Sequence, residues 1–208
     1  MNSQQRPEFV EGMSRLLRGE LASAELPERI DLGALNAAMN ELWERSTHDI
    51  DQGEVTEWGG TLVLSEEGDL ELVNITAGDA NGVSLSHDAP SGTLFVGTFH
   101  THPYEDGRTG MSFSGADMAV AINQANTLTL VQSGEWVYGL LRTEKTPDRV
   151  SWFQLSDEMD QLYENYLEDP DINSVEAAFL ANLDMCVRYG LAFYYGDILS
   201  ELEEVYRP

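Results

Sequence analysis

Residues 97–121, GTFHTHPYEDGRTGMSFSGADMAVA, place His100 and His102 one residue apart at the end of an apolar run, with Ser114 and Asp117 opening the next helical pattern. Imidazole is the commonest metal ligand that side chains offer. In a strand, residues two apart project to the same side, so the two rings converge on one point. A catalytic zinc ion takes three protein ligands and keeps a fourth position for water, so the pair calls for a third ligand. Asp117 is the best placed, because the loop from Pro103 to Phe113 is long enough to fold it over the strand end. Ser-Gly-Ala-Asp also spells a capping box, and capping alone accounts for both Ser114 and Asp117. A helix dipole and a nearby dication each favour a carboxylate at that position.

The elements that must carry these residues follow from periodicity. Apolar residues at helical spacing predict helices over 8–19 and 31–47, the second capped by Asp31. From Glu54 the pattern turns to short β-rich runs: EWGGTLVLS and LELVNITAG around the acidic turn EEGD read as a hairpin. TLFVGTFHTH is apolar enough for a strand buried on both faces, ended by Pro103, which lacks a ladder donor and puts the pair at a sheet edge beside a loop. A helix over about 115–125 and strands TLTLVQS and EWVYGLLRT complete a central unit. The remainder, 156–208, reads as helical: Ser156 caps one helix, Pro170 breaks it, Ser174 caps a second, and Gly190 ends or kinks that one. The expected architecture is α+β, a mixed and largely antiparallel sheet flanked by helices. An N-terminal helical extension covers 1–30, the core 31–155, and a C-terminal helical extension packed on it 156–208.

Composition bounds the chemistry. The 208 residues suit one domain with a full core. A single cysteine, Cys186, excludes an internal disulfide and a thiolate zinc site and fits a small core residue, so any metal is held by His, Asp or Glu. Acidic residues number 37 against 11 basic ones, of which Lys145 is the single lysine; the net charge of −26 repels phosphate backbones and disfavours nucleic acid while suiting a basic partner. No apolar run is long enough to cross a membrane and no signal peptide is evident, so the expected location is the cytoplasm. His48 and His87 have no partner at ligand spacing and read as ordinary loop histidines.

The combination His-Thr-His-Pro followed by Ser-x-x-Asp at a helix start resembles the JAMM/MPN+ zinc metalloproteases over about residues 31–150. That resemblance implies an MPN-like sheet, a Zn2+ ion held by His100, His102 and Asp117, and an upstream glutamate as general base. Glu57 in EWGGTLV fits it, with Gly59 and Gly60 letting the chain pass close to the site; Glu54 is the rival. Ser114, by the same resemblance, donates a hydrogen bond to the tetrahedral oxygen. Here 14 residues, Pro103 through Ala116, separate the second histidine from the aspartate, four more than is usual in the family. The longer loop carries Tyr104, Arg108 and Phe113, expected to shape substrate choice, and Glu105 and Asp106 as competing carboxylates. Relatives cleave amide bonds after the C-terminal glycine of ubiquitin-like proteins, so a ubiquitin-like protein or conjugate is the implied partner. A peptidase for another substrate and a catalytically silent scaffold are the alternatives.

Overall fold

The computed structural model describes residue 22 and residues 25–208. The helix expected over 8–19, and most of the 1–30 extension, lie outside the described residues. In chain order the elements are β1 (Arg29–Asp31), α1 (Asn36–Ser46), β2 (Trp58–Leu64), β3 (Leu70–Ala77), β4 (Leu94–Thr101), α2 (Gly115–Asn123), β5 (Leu128–Ser133), β6 (Trp136–Arg142), α3 (Trp152–Leu167), α4 (Ser174–Tyr189), β7 (Leu191–Asp197) and β8 (Glu201–Tyr206). The strands form one eight-stranded sheet in the order β1-β8-β7-β6-β5-β4-β2-β3. Every pairing is antiparallel except β4 with β5, which are joined through α2. The class is α+β, with a mixed sheet as expected.

Alternation along the strands sorts side chains to two faces. Leu130, Val137 and Tyr194 pack with Leu35 and with Met39 and Leu42 of α1 on one face. Val131, Tyr138 and Phe193 pack with Met118, Leu155 and Met185 of α2, α3 and α4 on the other. Cys186 is fully buried there, and burial pushes its thiol well up. β4 lies inside the sheet with its last six residues buried, so the histidines sit at the end of an interior strand and not on an edge strand.

Three expectations are corrected. Asp31 does not cap α1: it ends β1, and its Oδ1 accepts from the Gly33 amide at 2.8 Å in a local turn, while the helix starts after Leu35 without a side-chain cap. Ser151 and Asn173, not Ser156 and Ser174, cap the two long helices, each accepting from backbone amides of the first turn. The segment 156–208 is helical only as far as Tyr189; Gly190 takes a left-handed φ of 63° and ends the helix, and β7 and β8 join the main sheet. The aromatic run Leu191–Tyr195 has the bulk of a strand, and its partner across the ladder is β6. No helix among the described residues is long and apolar enough to cross a membrane.

The parallel seam tolerates no side chain at Gly97, where a Cβ would stand 1.8 Å from the Leu128 carbonyl oxygen. Gly97→Ala is expected to lower stability by roughly 1–3 kcal/mol or more in urea unfolding. Gly82→Ala, with nothing within 4 Å of its Cβ, is the control and should change stability by less than about 0.5 kcal/mol.

Candidate metal centre

The alternation of β4 sends His100 and His102 to one side, where their Nε2 atoms meet at 3.0 Å. Thr101, between them, projects the other way: its Oγ1 lies 2.5 Å from Ser46 Oγ and accepts from the Trp58 amide at 3.0 Å, clamping the start of β2 against the end of β4. That clamp places Glu57. Its own backbone is bracketed by Asp79, whose carbonyl accepts its amide, and by Gly78, whose amide donates to its carbonyl, both at 2.8 Å. Gly59 pairs with His100 in the ladder, and a Cβ on it would lie 2.5 Å from Phe99 O and 2.9 Å from His100 Cβ, so only glycine allows this approach. Gly60 is needed on the opposite side, where its Cβ would meet Val73 O at 2.7 Å.

Asp117 arrives from the first turn of α2. The capping box is complete: Ser114 Oγ accepts from the Asp117 amide at 3.2 Å, and Asp117 Oδ2 accepts from the Ser114 amide at 2.7 Å. The Ser114 hydroxyl, with a single proton, also lies 2.6 Å from Asp117 Oδ2 and donates to it. The capping reading and the ligand reading therefore coexist. Held in this way, the Asp117 oxygens lie 3.1 Å from His100 Nε2 and 3.3 Å from His102 Nε2. The ligand atoms of Glu57, His100 and His102 lie within 4.8 Å of one another.

A tetrahedral ion at roughly 2.0–2.1 Å from its ligands sets them about 3.3 Å apart, close to the spacings found. The tautomer fits as well. The Ser112 carbonyl can only accept, so His102 Nδ1, 3.1 Å away, carries the proton and leaves a lone pair on Nε2. Two imidazole nitrogens and a carboxylate form a donor set suited to a divalent cation.

Electrostatics show the same convergence. Burial would raise the Asp117 pKa, but His100 and His102 hold it well below the usual carboxylate range. Burial would lower that of His102, yet Asp117, then Glu57 and the Ser112 carbonyl, raise it above 6.5. Burial raises Glu57 above 4.5, against the pull of His102 and His100.

The cluster opens into a cavity of about 820 Å³ between the loop that follows β3 and the face of α2. Tyr104 and Ser114 line it near the cluster; Leu85, Val120, Gln124 and Trp152 line it elsewhere. The other expected substrate contacts fall elsewhere. Arg108 is exposed and stacks on Tyr104 at 5.2 Å from the ring centroid, while Phe113 is 3% exposed within the α2–α4 core and is not on the cavity. A run of loop residues gave no sign of which one would turn inward. Glu54, Glu105 and Asp106 are exposed and outside the cluster. His48 is a surface histidine, 81% exposed, but His87 is not an ordinary one: it lines the cavity, with Nε2 buried and without a hydrogen-bond partner. No periodicity marks that loop, so sequence offered no signal for it.

Comparison with family models, curated proteins and solved structures returned no match.

Two expectations follow. Ser114→Ala removes the cap and the hydroxyl bond to Asp117 Oδ2, leaving the backbone amide as that oxygen's partner, which costs about 1 kcal/mol and lowers divalent-metal affinity roughly 10- to 100-fold by calorimetric titration. The raised His102 pKa contributes stability fully present below the unfolded value of about 6.5 and lost as pH rises through the folded value. Chelator-treated protein should therefore have a lower urea midpoint at alkaline pH than at pH near 6, a difference reduced in His102→Asn and in metal-loaded protein.

Proposed function

We propose that this chain is a zinc-dependent amide hydrolase, most simply a peptidase or isopeptidase acting at the C-terminal tail of a ubiquitin-like protein in the cytoplasm. The observation that supports it is the meeting of His100, His102 and Asp117 at 3.0–3.3 Å with Glu57 alongside, on the wall of an open cavity. The resemblance of His-Thr-His-Pro and Ser-x-x-Asp to the JAMM/MPN+ enzymes supplies the substrate class.

Two nitrogens and an oxygen favour zinc over magnesium or calcium, which take oxygen ligands. Zinc in such a site supplies Lewis acidity and brings the pKa of water to about 7. His100, His102 and Asp117 would hold it, with Ser114 fixing the Asp117 carboxylate and the Ser112 carbonyl fixing the His102 ring. Glu57, in a partly buried setting that raises its proton affinity, accepts a proton from the attacking water and returns it to the departing amine. The cavity holds the segment of chain that carries the scissile bond.

Glu57→Gln is expected to lower kcat by about 10²- to 10⁴-fold on a modifier fusion, with zinc content by mass spectrometry unchanged. Loss of zinc together with activity would make Glu57 a ligand and overturn its role as base. Zinc bound near one per chain, with peptide amides cleaved and modifier fusions left intact, would replace the ubiquitin-like substrate by another peptide.

A further inference from the structure

Amide hydrolysis needs a donor for the negative charge that grows on the carbonyl oxygen, about 2.7–3.1 Å from it. The Ser114 hydroxyl has one proton, already directed to Asp117 Oδ2 at 2.6 Å, while its oxygen accepts the Asp117 amide. The His102 Nδ1 proton is directed to the Ser112 carbonyl. Tyr104 is different. It lines the cavity beside the cluster, within electrostatic reach of both Asp117 and Glu57, and among the described residues its hydroxyl makes no hydrogen bond.

The ring is also braced. Pro103 joins it directly to the end of the histidine segment. The Gly107 amide closes a turn on the Tyr104 carbonyl at 2.8 Å, with Gly107 at the left-handed φ of 73°. The Arg108 guanidinium covers the ring at 5.2 Å, and its Nε reaches both Asp106 oxygens at 3.1 and 2.9 Å. At the far end of the loop, the Gly110 amide donates to the Ser133 carbonyl at 3.1 Å, and Ser133 Oγ donates to the His102 carbonyl at 3.1 Å. A phenol held at both ends of its loop, with an uncommitted proton, is a preorganised donor.

We infer that Tyr104 is a catalytic residue of the proposed hydrolysis, its hydroxyl donating a hydrogen bond to the carbonyl oxygen as the carbon becomes tetrahedral, while Ser114 acts as a positioning residue for Asp117. The inference rests on the hydrolase reading of the site. No proton is transferred: the phenol keeps its hydrogen throughout, and the bond shortens as the oxygen gains charge.

The test uses zinc-loaded protein, a glycine-ended peptide as its coumarin amide, and the phosphonamidate analogue of that peptide as a mimic of the tetrahedral state. Tyr104→Phe keeps the ring under Arg108 and removes only the hydroxyl. It should lower kcat by about 10²-fold or more, leave KM within about threefold, and weaken the analogue by the same factor as kcat. Affinity for the uncleaved peptide, measured in the Glu57→Gln background, zinc content and thermal midpoint should stay unchanged. Ser114→Ala at saturating zinc should keep the preference for the analogue. Analogue affinity in Tyr104→Phe within about threefold of wild type, or an equal loss for analogue and peptide, overturns the inference. A wild-type protein that binds the analogue no better than the peptide and cleaves no amide overturns the hydrolase reading, and this inference with it.

Discussion

Electron-rich atoms crowd one end of β4, and the geometry there demands positive charge. Two imidazole Nε2 atoms 3.0 Å apart, a carboxylate within 3.3 Å of both and a second carboxylate nearby cannot all present lone pairs to one another without compensation. A proton is one such compensation: Asp117 raises the His102 pKa and the two rings hold that of Asp117 down. A divalent cation satisfies the same atoms at once, with ligand spacings the scaffold already holds. Proton and metal therefore compete for one place, and affinity for either is set by how rigidly the cluster is held.

The rigidity comes from short contacts that leave no slack. Gly59 lets β2 lie against His100, and Gly97 lets β4 lie against the Leu128 carbonyl. Gly115 opens α2 where a Cβ would stand 2.6 Å from the Ser156 Cα, so α3 packs directly on the start of the helix that carries Asp117. Thr101, pointing away from the His100 and His102 side, ties Ser46 and Trp58 into the same frame. Each device holds backbone, and a change of a few tenths of an ångström in any of them moves an atom of the cluster.

How much of this was legible in the sequence depends on whether the governing interaction was local. Convergence of His100 and His102 follows from strand alternation alone, and the proximity of Asp117 to Ser114 from the capping box, so both are readable within a few residues. Glu57 was reached through the spacing of the resemblance, and its place is set by distant contacts, from the neighbouring Trp58 amide to Thr101, 43 residues on from Trp58, and from its own amide to Asp79. The C-terminal hairpin was missed because the helical pattern of α4 runs directly into an equally apolar strand, and only pairing of β7 with β6, fixed by tertiary structure, separates them. Asp31 had the chemistry of a cap but spent it on Gly33, a competing turn. Phe113 and Tyr104 share a loop of mixed composition; which of them faces the cavity and which the core is decided by α4, whose Asn182 donates to the Phe113 carbonyl at 2.9 Å and holds that residue inward.

The charge of the chain bears on turnover at such a site. With a net charge of −26 and Glu57 and Asp117 on the cavity wall, the field there disfavours anions. The described residues lining the cavity include neither lysine nor arginine. An amide is neutral when it enters, and its hydrolysis creates a carboxylate and an amine. On the hydrolytic reading the substrate therefore meets no electrostatic barrier while the new chain end does. On that reading the same acidity works against retention of the product, and a more basic cavity would bind the cleaved tail and slow each cycle.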